Sequence, residues 1–194
     1  MKGIVFMQRD AMNAGVNPGG LQSRIEIRVL ICYILVNTNS PVPLETVKER
    51  LHFEGIANYF EVAFAISELL ENNTIKIDYT EENGIQFYTH NKEAEAVSAA
   101  LAGSLPFSVK EKAIALTKSI ISRRKYEREN SVDIKETENG LYITCSVMEK
   151  DLVLASITLL VPDEKTANRF KENFLENPVE TLARATSALT KTEI

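Results

Sequence analysis

Apolar and polar residues recur in two different periods along this chain, and the changes of period mark its elements. Residues 1–22 carry no usable period and end in Asn17-Pro18-Gly19-Gly20, so they read as an N-terminal arm. Ser23-Arg24-Ile25-Glu26 has the spacing of a capping box, in which a serine hydroxyl and a glutamate three residues on satisfy two amides reciprocally. The segment it opens, IEIRVLICYILVN, is apolar almost all round after Arg28, as expected of a central buried helix. Pro41 and Pro43 stop it. Leu44, Val47 and Leu51 then fall at spacings of three and four, predicting a short second helix. A third helix follows Gly55, with Asn58 as its cap. Tyr59, Val62, Ile66 and Leu69 make one face, widened by Phe60, Ala63 and Leu70. The period next becomes two. Ile75, Ile77 and Tyr79 alternate with Lys76 and Asp78, and Ile85, Phe87 and Thr89 alternate with Gln86 and Tyr88. Glu81-Glu82-Asn83-Gly84 lies between these runs, its Asn-Gly supplying the positive-φ positions of a hairpin. Three helices and a hairpin within residues 23–90 are the layout of a winged helix-turn-helix, with the hairpin as wing.

Residues 91–130 read as connecting helices. An Ala- and Glu-rich stretch runs to Gly103 and Pro106. Ser108 with Glu111 then caps a long helix carrying Val109, Ala113, Leu116 and Ile120 on one side. Residues 131–194 return to alternation in VDIKE, LYITCSVM and LVLASITLLV, joined at Glu138-Asn139-Gly140 and Glu149-Lys150-Asp151. Leu141, Ile143, Cys145 and Val147 share a face, as in an antiparallel meander. Two helices close the chain. One opens at Asp163 and carries Ala167, Phe170 and Phe174; the other opens at Asn177-Pro178 and carries Val179, Leu182, Ala183, Thr186 and Leu189. They are expected to cover the apolar face of the meander. The fold class is therefore α+β, a winged helix-turn-helix followed by an α+β domain with a three-stranded antiparallel meander and two terminal helices.

Composition adds limits rather than chemistry. In 194 residues, 44% are apolar, enough for cores that need no metal or disulfide. Cys32 and Cys145 lie inside apolar or alternating stretches, the setting of buried, reduced thiols. The longest apolar run, Val29–Val36, is far short of a bilayer span, and MKGIVFMQRD lacks the apolar core of a signal peptide. A cytoplasmic protein without membrane contact is expected. His52 and His90 stand apart from any ligand spacing, and no motif of a hydrolase, nucleotide-binding loop or metalloenzyme occurs. The expectation is no enzyme, no catalytic residue, no metal and no cofactor.

Charge bears on the winged helix most directly. Lys and Arg number 22 against 27 Asp and Glu, a net charge of −5, and residues 1–90 hold 7 basic and 11 acidic residues. No Lys or Arg occurs between Glu54 and Ile75, where the groove-reading helix is expected, and the wing tip is Glu81-Glu82. Phosphate contacts need donors, and carboxylates near the duplex repel it. If duplex DNA is bound, the available residues are Arg24, Arg28, Lys48, Arg50 and Lys76 for phosphates, with Asn58 and Ser67 nearer the bases. Arg123, Arg124 and Lys125 form an alternative basic patch at the end of the long helix. Tyr59, Phe60 and Phe64 on one helix exceed what so small a core needs. Each ring taken singly is expected in the core, and any surplus faces another domain or subunit.

AGVNPGGL (14–21), IRVLICYIL (27–35) and NYFEVAFAISELLENNTI (58–75) resemble a bacterial family of unknown function, found chiefly in anaerobic Gram-positive bacteria. The resemblance runs through nearly the whole chain. It implies an N-terminal winged-helix domain and a transcriptional-regulator-like role, with no catalytic residues to carry over. The expectation is a winged-helix regulator, acting as a homodimer, on double-stranded DNA if its acidic helix permits. The alternative is a non-enzymatic protein-interaction or dimerisation module that uses the same fold with a protein partner and without DNA.

Overall fold

The computed structural model of the chain describes residues 15–149 and 152–190. Residues 1–14 of the expected arm, and Lys150-Asp151 of the second meander turn, lie outside the described residues. The chain divides into two compact units, residues 1–120 and 121–194. Residues 91–130 are therefore shared between them.

In the first unit, α1 (Arg24–Thr38) is the centre, burying Ile27, Val29, Leu30, Ile31, Cys32, Ile34 and Leu35. Burial spread so widely needs cover on several sides. α3 (Tyr59–Glu71), β2 (Gln86–His90) and α4 (Lys92–Leu101) supply it. α2 (Leu44–Phe53) adds Leu44, Val47 and Leu51, all buried as the spacing predicts, and packs against α3 and β2. A 3-10 turn, Ala102–Ser104, leads into α5 (Phe107–Glu129), which buries Val109, Ala113 and Thr117.

Several local details differ from expectation. Ser23 has the extended backbone of an N-cap, but its hydroxyl makes no cap hydrogen bond. The start of α1 is instead tied by tertiary contacts: Leu21 is buried and its amide donates to Ile56 O at 2.8 Å. Asn17 N likewise donates to Gly55 O at 2.8 Å, so the end of the arm belongs to the first unit. Gly55 has φ +66°, and a Cβ there would stand 2.2 Å from Asn17 Nδ2; both conditions select glycine. α5 begins at Phe107, with the amides of Val109 and Lys110 donating to Pro106 O, which leaves Ser108 inside the first turn rather than at the cap.

The hairpin pairs β1 (Ile75–Thr80) with β2 in antiparallel register. Of Ile75, Ile77 and Tyr79 only Ile75 is buried: the strand leaves the core after its first residue, and its register shifts between Ile77 and Tyr79. Tyr79 stacks on Phe87 with centroids 4.5 Å apart. Tyr88, expected on the polar side, is buried: Val42 exchanges two 2.9 Å backbone hydrogen bonds with it. In the turn only Gly84 takes a positive φ. Asn83 instead accepts the Ile85 amide through Oδ1 at 3.0 Å.

The second unit is the expected meander, β3 (Asn130–Thr137), β4 (Gly140–Glu149) and β5 (Leu152–Val161), with β4 central. Register sets Val132, Cys145 and Ile157 abreast, and beside them Ile134, Ile143 and Leu159. α6 (Glu164–Glu176) and α7 (Pro178–Thr190) cover this face. The core they close joins Ile143, Cys145, Val147 and Val161 to Ala167, Phe174 and Leu175, with Leu182 packed against it. Both helices start as the sequence indicates. Asp163 Oδ1 accepts the Thr166 amide at 2.7 Å, and Asn177 accepts the Glu180 amide while donating to its carboxylate. Phe170, Val179 and Leu189, expected on the covering faces, are exposed. α7 meets the core through Leu182 and buries Pro178 at its start, while Val179 and Leu189 point away from it.

Cys32 and Cys145 are both buried free thiols. Burial pushes the Cys32 thiol up to about 11 and raises that of Cys145. Neither is expected to react with a water-soluble disulfide reagent in the folded protein at pH 8, because the thiolate is the nucleophile and both are shielded. Both should titrate after denaturation. Rapid reaction of Cys32 in the folded state would contradict the packing around α1.

Candidate functional site

The end of α3 that a winged helix would present to a groove is built by Asn58. Its Oδ1 accepts the amides of Phe60 at 2.9 Å and Glu61 at 3.3 Å, and the residue is 5% exposed. Asn58 is therefore the structural cap of α3. Val62, Ala65, Ile66 and Leu69 turn inward. The residues between them have to point out, and these include two rings. Phe60 is 68% and Phe64 55% exposed, against the expectation that each ring sits in the core. The inward arc is already filled by aliphatic side chains at helical spacing, which leaves the rings one turn apart on the outer arc. Tyr59 is half-buried and makes edge contacts with His52 and Phe60.

Of the cations expected for phosphates, Arg24, Arg28, Lys48 and Arg50 each pair with a carboxylate. Arg24 donates through Nε and Nη2 to Glu61, and its guanidinium lies 5.3 Å from the centroid of Phe64. The Glu61 hydrogen bond and charge raise the pKa of Arg24 further. Arg28 Nη1 donates to Glu68 Oε2 at 3.2 Å. Lys48 is buried, pairs with Glu45 and stands 4.5 Å from the Tyr59 ring centroid. Burial alone would depress its pKa, but the hydrogen bonds to Glu45 and Tyr59 more than offset that and raise it. Arg50 reaches Glu54 at 3.7 Å and lies over Phe53. Ser67 is exposed and returns its hydroxyl to Ala63 O at 3.2 Å. Lys76 is exposed on β1 of the hairpin. Arg24, Arg28, Phe64 and α3 thus come together, while Lys76 stands on the separate hairpin. Sequence spacing could not show the ion pairs, because Arg24–Glu61 and Arg28–Glu68 join residues 37 and 40 apart.

The alternative basic patch does not assemble as three free cations. Arg123 bonds both Glu127, at 3.0 Å, and Glu172 of α6, at 2.6 Å, and Lys125 lies 4.0 Å from Glu129. Arg123 is a brace between α5 and α6 inside the second unit. Among the described residues no three His, Cys, Asp or Glu side chains converge as a metal site, and no helix is long and apolar enough to cross a membrane.

The sequence profile of a family described as Domain of unknown function (DUF4364) matches residues 27–189, which takes in α3 and both units. The chain belongs to this family. No curated protein and no solved structure matches the chain. Membership in DUF4364 thus carries no assigned site, and the roles of Phe60, Phe64 and the paired cations rest on their geometry.

Two substitutions separate structural roles from contact roles. Asn58→Ala removes the α3 cap and should lower stability by about 1 kcal/mol, read by denaturant unfolding. Arg24→Ala should lower the Tm, and less so in a Glu61→Ala background, since the lost partner is then already absent. Equal Tm changes for Arg24→Ala in the two backgrounds would mean that Arg24 and Glu61 are not coupled.

Proposed function

We propose that this DUF4364 protein is a non-enzymatic, regulatory winged-helix module that takes a protein partner on α3 instead of reading duplex DNA. One observation carries the proposal. Phe60 and Phe64 stand exposed on the outer arc of the helix that would enter a groove, while the surrounding cations are held by carboxylates. An aromatic centre with a charged rim is the make-up of a protein contact: rings desolvate cheaply there, and rim ion pairs stay wet. A duplex laid on the same arc would meet Glu68 and Glu71, and the wing would bring Glu81 and Glu82. To touch phosphates, Arg24 and Arg28 would first have to leave their partners. The resemblance to regulator-like proteins fits a module whose output is a protein contact.

A selection from random duplex at low salt should recover no sequence. In the native host, a photo-reactive phenylalanine analogue at position 64 should yield one discrete protein adduct, and Phe60→Ser should abolish it without lowering the Tm. Recovery of a defined duplex, with binding that weakens when Arg28 and Lys76 are replaced, would overturn the proposal in favour of DNA recognition.

A further inference from the structure

The two edges of the second unit's sheet differ in a way that neither the family nor the α3 surface accounts for. β3 is a blunted edge, with Asp133, Lys135 and Glu136 along its outer half. Charges of this kind oppose strand addition, because a pairing strand would bury or oppose them. β5 is the other edge, pairing with β4 only among the described residues. Its sequence, LVLASITLLV, contains no charged residue and no proline over ten positions. Leu152 is 63% exposed, Leu154 51% and Leu160 50%, and Val153 and Leu159 are exposed as well. A long, uncharged, apolar edge presents a row of unpaired backbone donors and acceptors together with side chains that gain by leaving water.

The pattern of β5 also selects its partner. The register shift opposite Val147 and Met148 leaves Leu154 in a bulge, so the regular part of β5 begins at Ala155. An antiparallel two-fold centred on Ile157 sets Ser156 opposite the partner's Thr158 and Ala155 opposite the partner's Leu159. Hydroxyl meets hydroxyl and apolar meets apolar, with Ile157 facing its own copy on the axis. The hydroxyls already run across the sheet within one chain, where Ser146 and Ser156 lie 2.8 Å apart and Thr144 and Thr158 3.0 Å. A second copy would continue those rows, and such cross-strand pairs are the unit of sheet stabilisation. With no charge on the strand, two copies meet without like-charge repulsion. Closure follows from the asymmetry of the edges: once β5 is paired, only the charged β3 edges remain, so growth stops at two chains.

The geometry points to a homodimer formed by antiparallel pairing of β5 with β5 of a second copy, giving a continuous six-stranded sheet of order β3-β4-β5-β5-β4-β3. This interface is separate from the α3 surface, so it stands whether or not α3 takes a protein partner.

The test compares the full chain with Leu154→Lys/Leu160→Lys and with Phe60→Ser/Phe64→Ser by sedimentation equilibrium, checking each for unchanged circular dichroism. Wild type and the phenylalanine variant should sediment at twice the chain mass, and the lysine variant at the chain mass. Amide hydrogen exchange on wild type should show β5 more protected as concentration rises through the micromolar range, with β3 unchanged; this reading holds even if the lysine variant folds poorly. A monomeric wild type would overturn the proposal. So would a dimer that survives the lysines and dissociates in the phenylalanine variant, which would put the second copy on α3. Concentration-independent protection of β5 would also overturn it, since another part of the same chain would then cover the edge.

Discussion

Helix α1 has almost no side that can face water without cost, and the first unit is arranged to satisfy it. Ile27, Leu30, Ile31, Ile34 and Leu35 are each at most 2% exposed, and full burial of such side chains contributes roughly 1.5–3 kcal/mol apiece. One flanking helix could not deliver that. α3, α4 and β2 are drawn against the same helix, and Leu21 covers its start. The hairpin is anchored at its base because Tyr88 and Ile75 are buried, while its outer strand goes into solvent.

That constraint explains the character of α3. Its contact with α1 and α2 uses Val62, Ala65, Ile66 and Leu69, aliphatic residues that fit a narrow arc. The helix has more apolar residues than the arc can hold, so Phe60 and Phe64 go outside. The same packing brings Arg24 and Arg28 of α1 beside Glu61 and Glu68 of α3. One helix pair therefore buries the aliphatic side chains, exposes the rings and neutralises the cations. These are three results of a single crossing, and together they give the outer face of α3 an aromatic surface flanked by paired charges.

The second unit meets a different constraint. A three-stranded sheet has two edges and two faces, and two short helices can close one face only. Cys145, Ile143, Val147 and Val161 fill that closed side. Thr144, Ser146, Ser156 and Thr158 lie on the other with their hydroxyls paired, beside the exposed Tyr142 and Leu160. β3 carries charge along its edge, and β5 carries none.

The sequence by itself determined where the elements lie, because the apolar period is a local property of the backbone. The stripe of α2, the Asn58 cap, the starts of α6 and α7 and the shared face of β4 were all legible in this way. So was the acidity of the first ninety residues. Only the tertiary structure decided which charges cancel, since Arg24–Glu61 and Arg28–Glu68 join residues far apart in the chain. It also decided which apolar residues stay outside. Phe60 and Phe64 follow the same helical period as their buried neighbours, and periodicity cannot say how much of an apolar arc a neighbouring helix will cover. Ser23 and Ser108 fit a capping pattern that the backbone does not use, because Leu21 and Pro106 set those helix starts through contacts outside the pattern. Local spacing fixes which residues share a face, and the area available to bury that face depends on the packing of the whole unit.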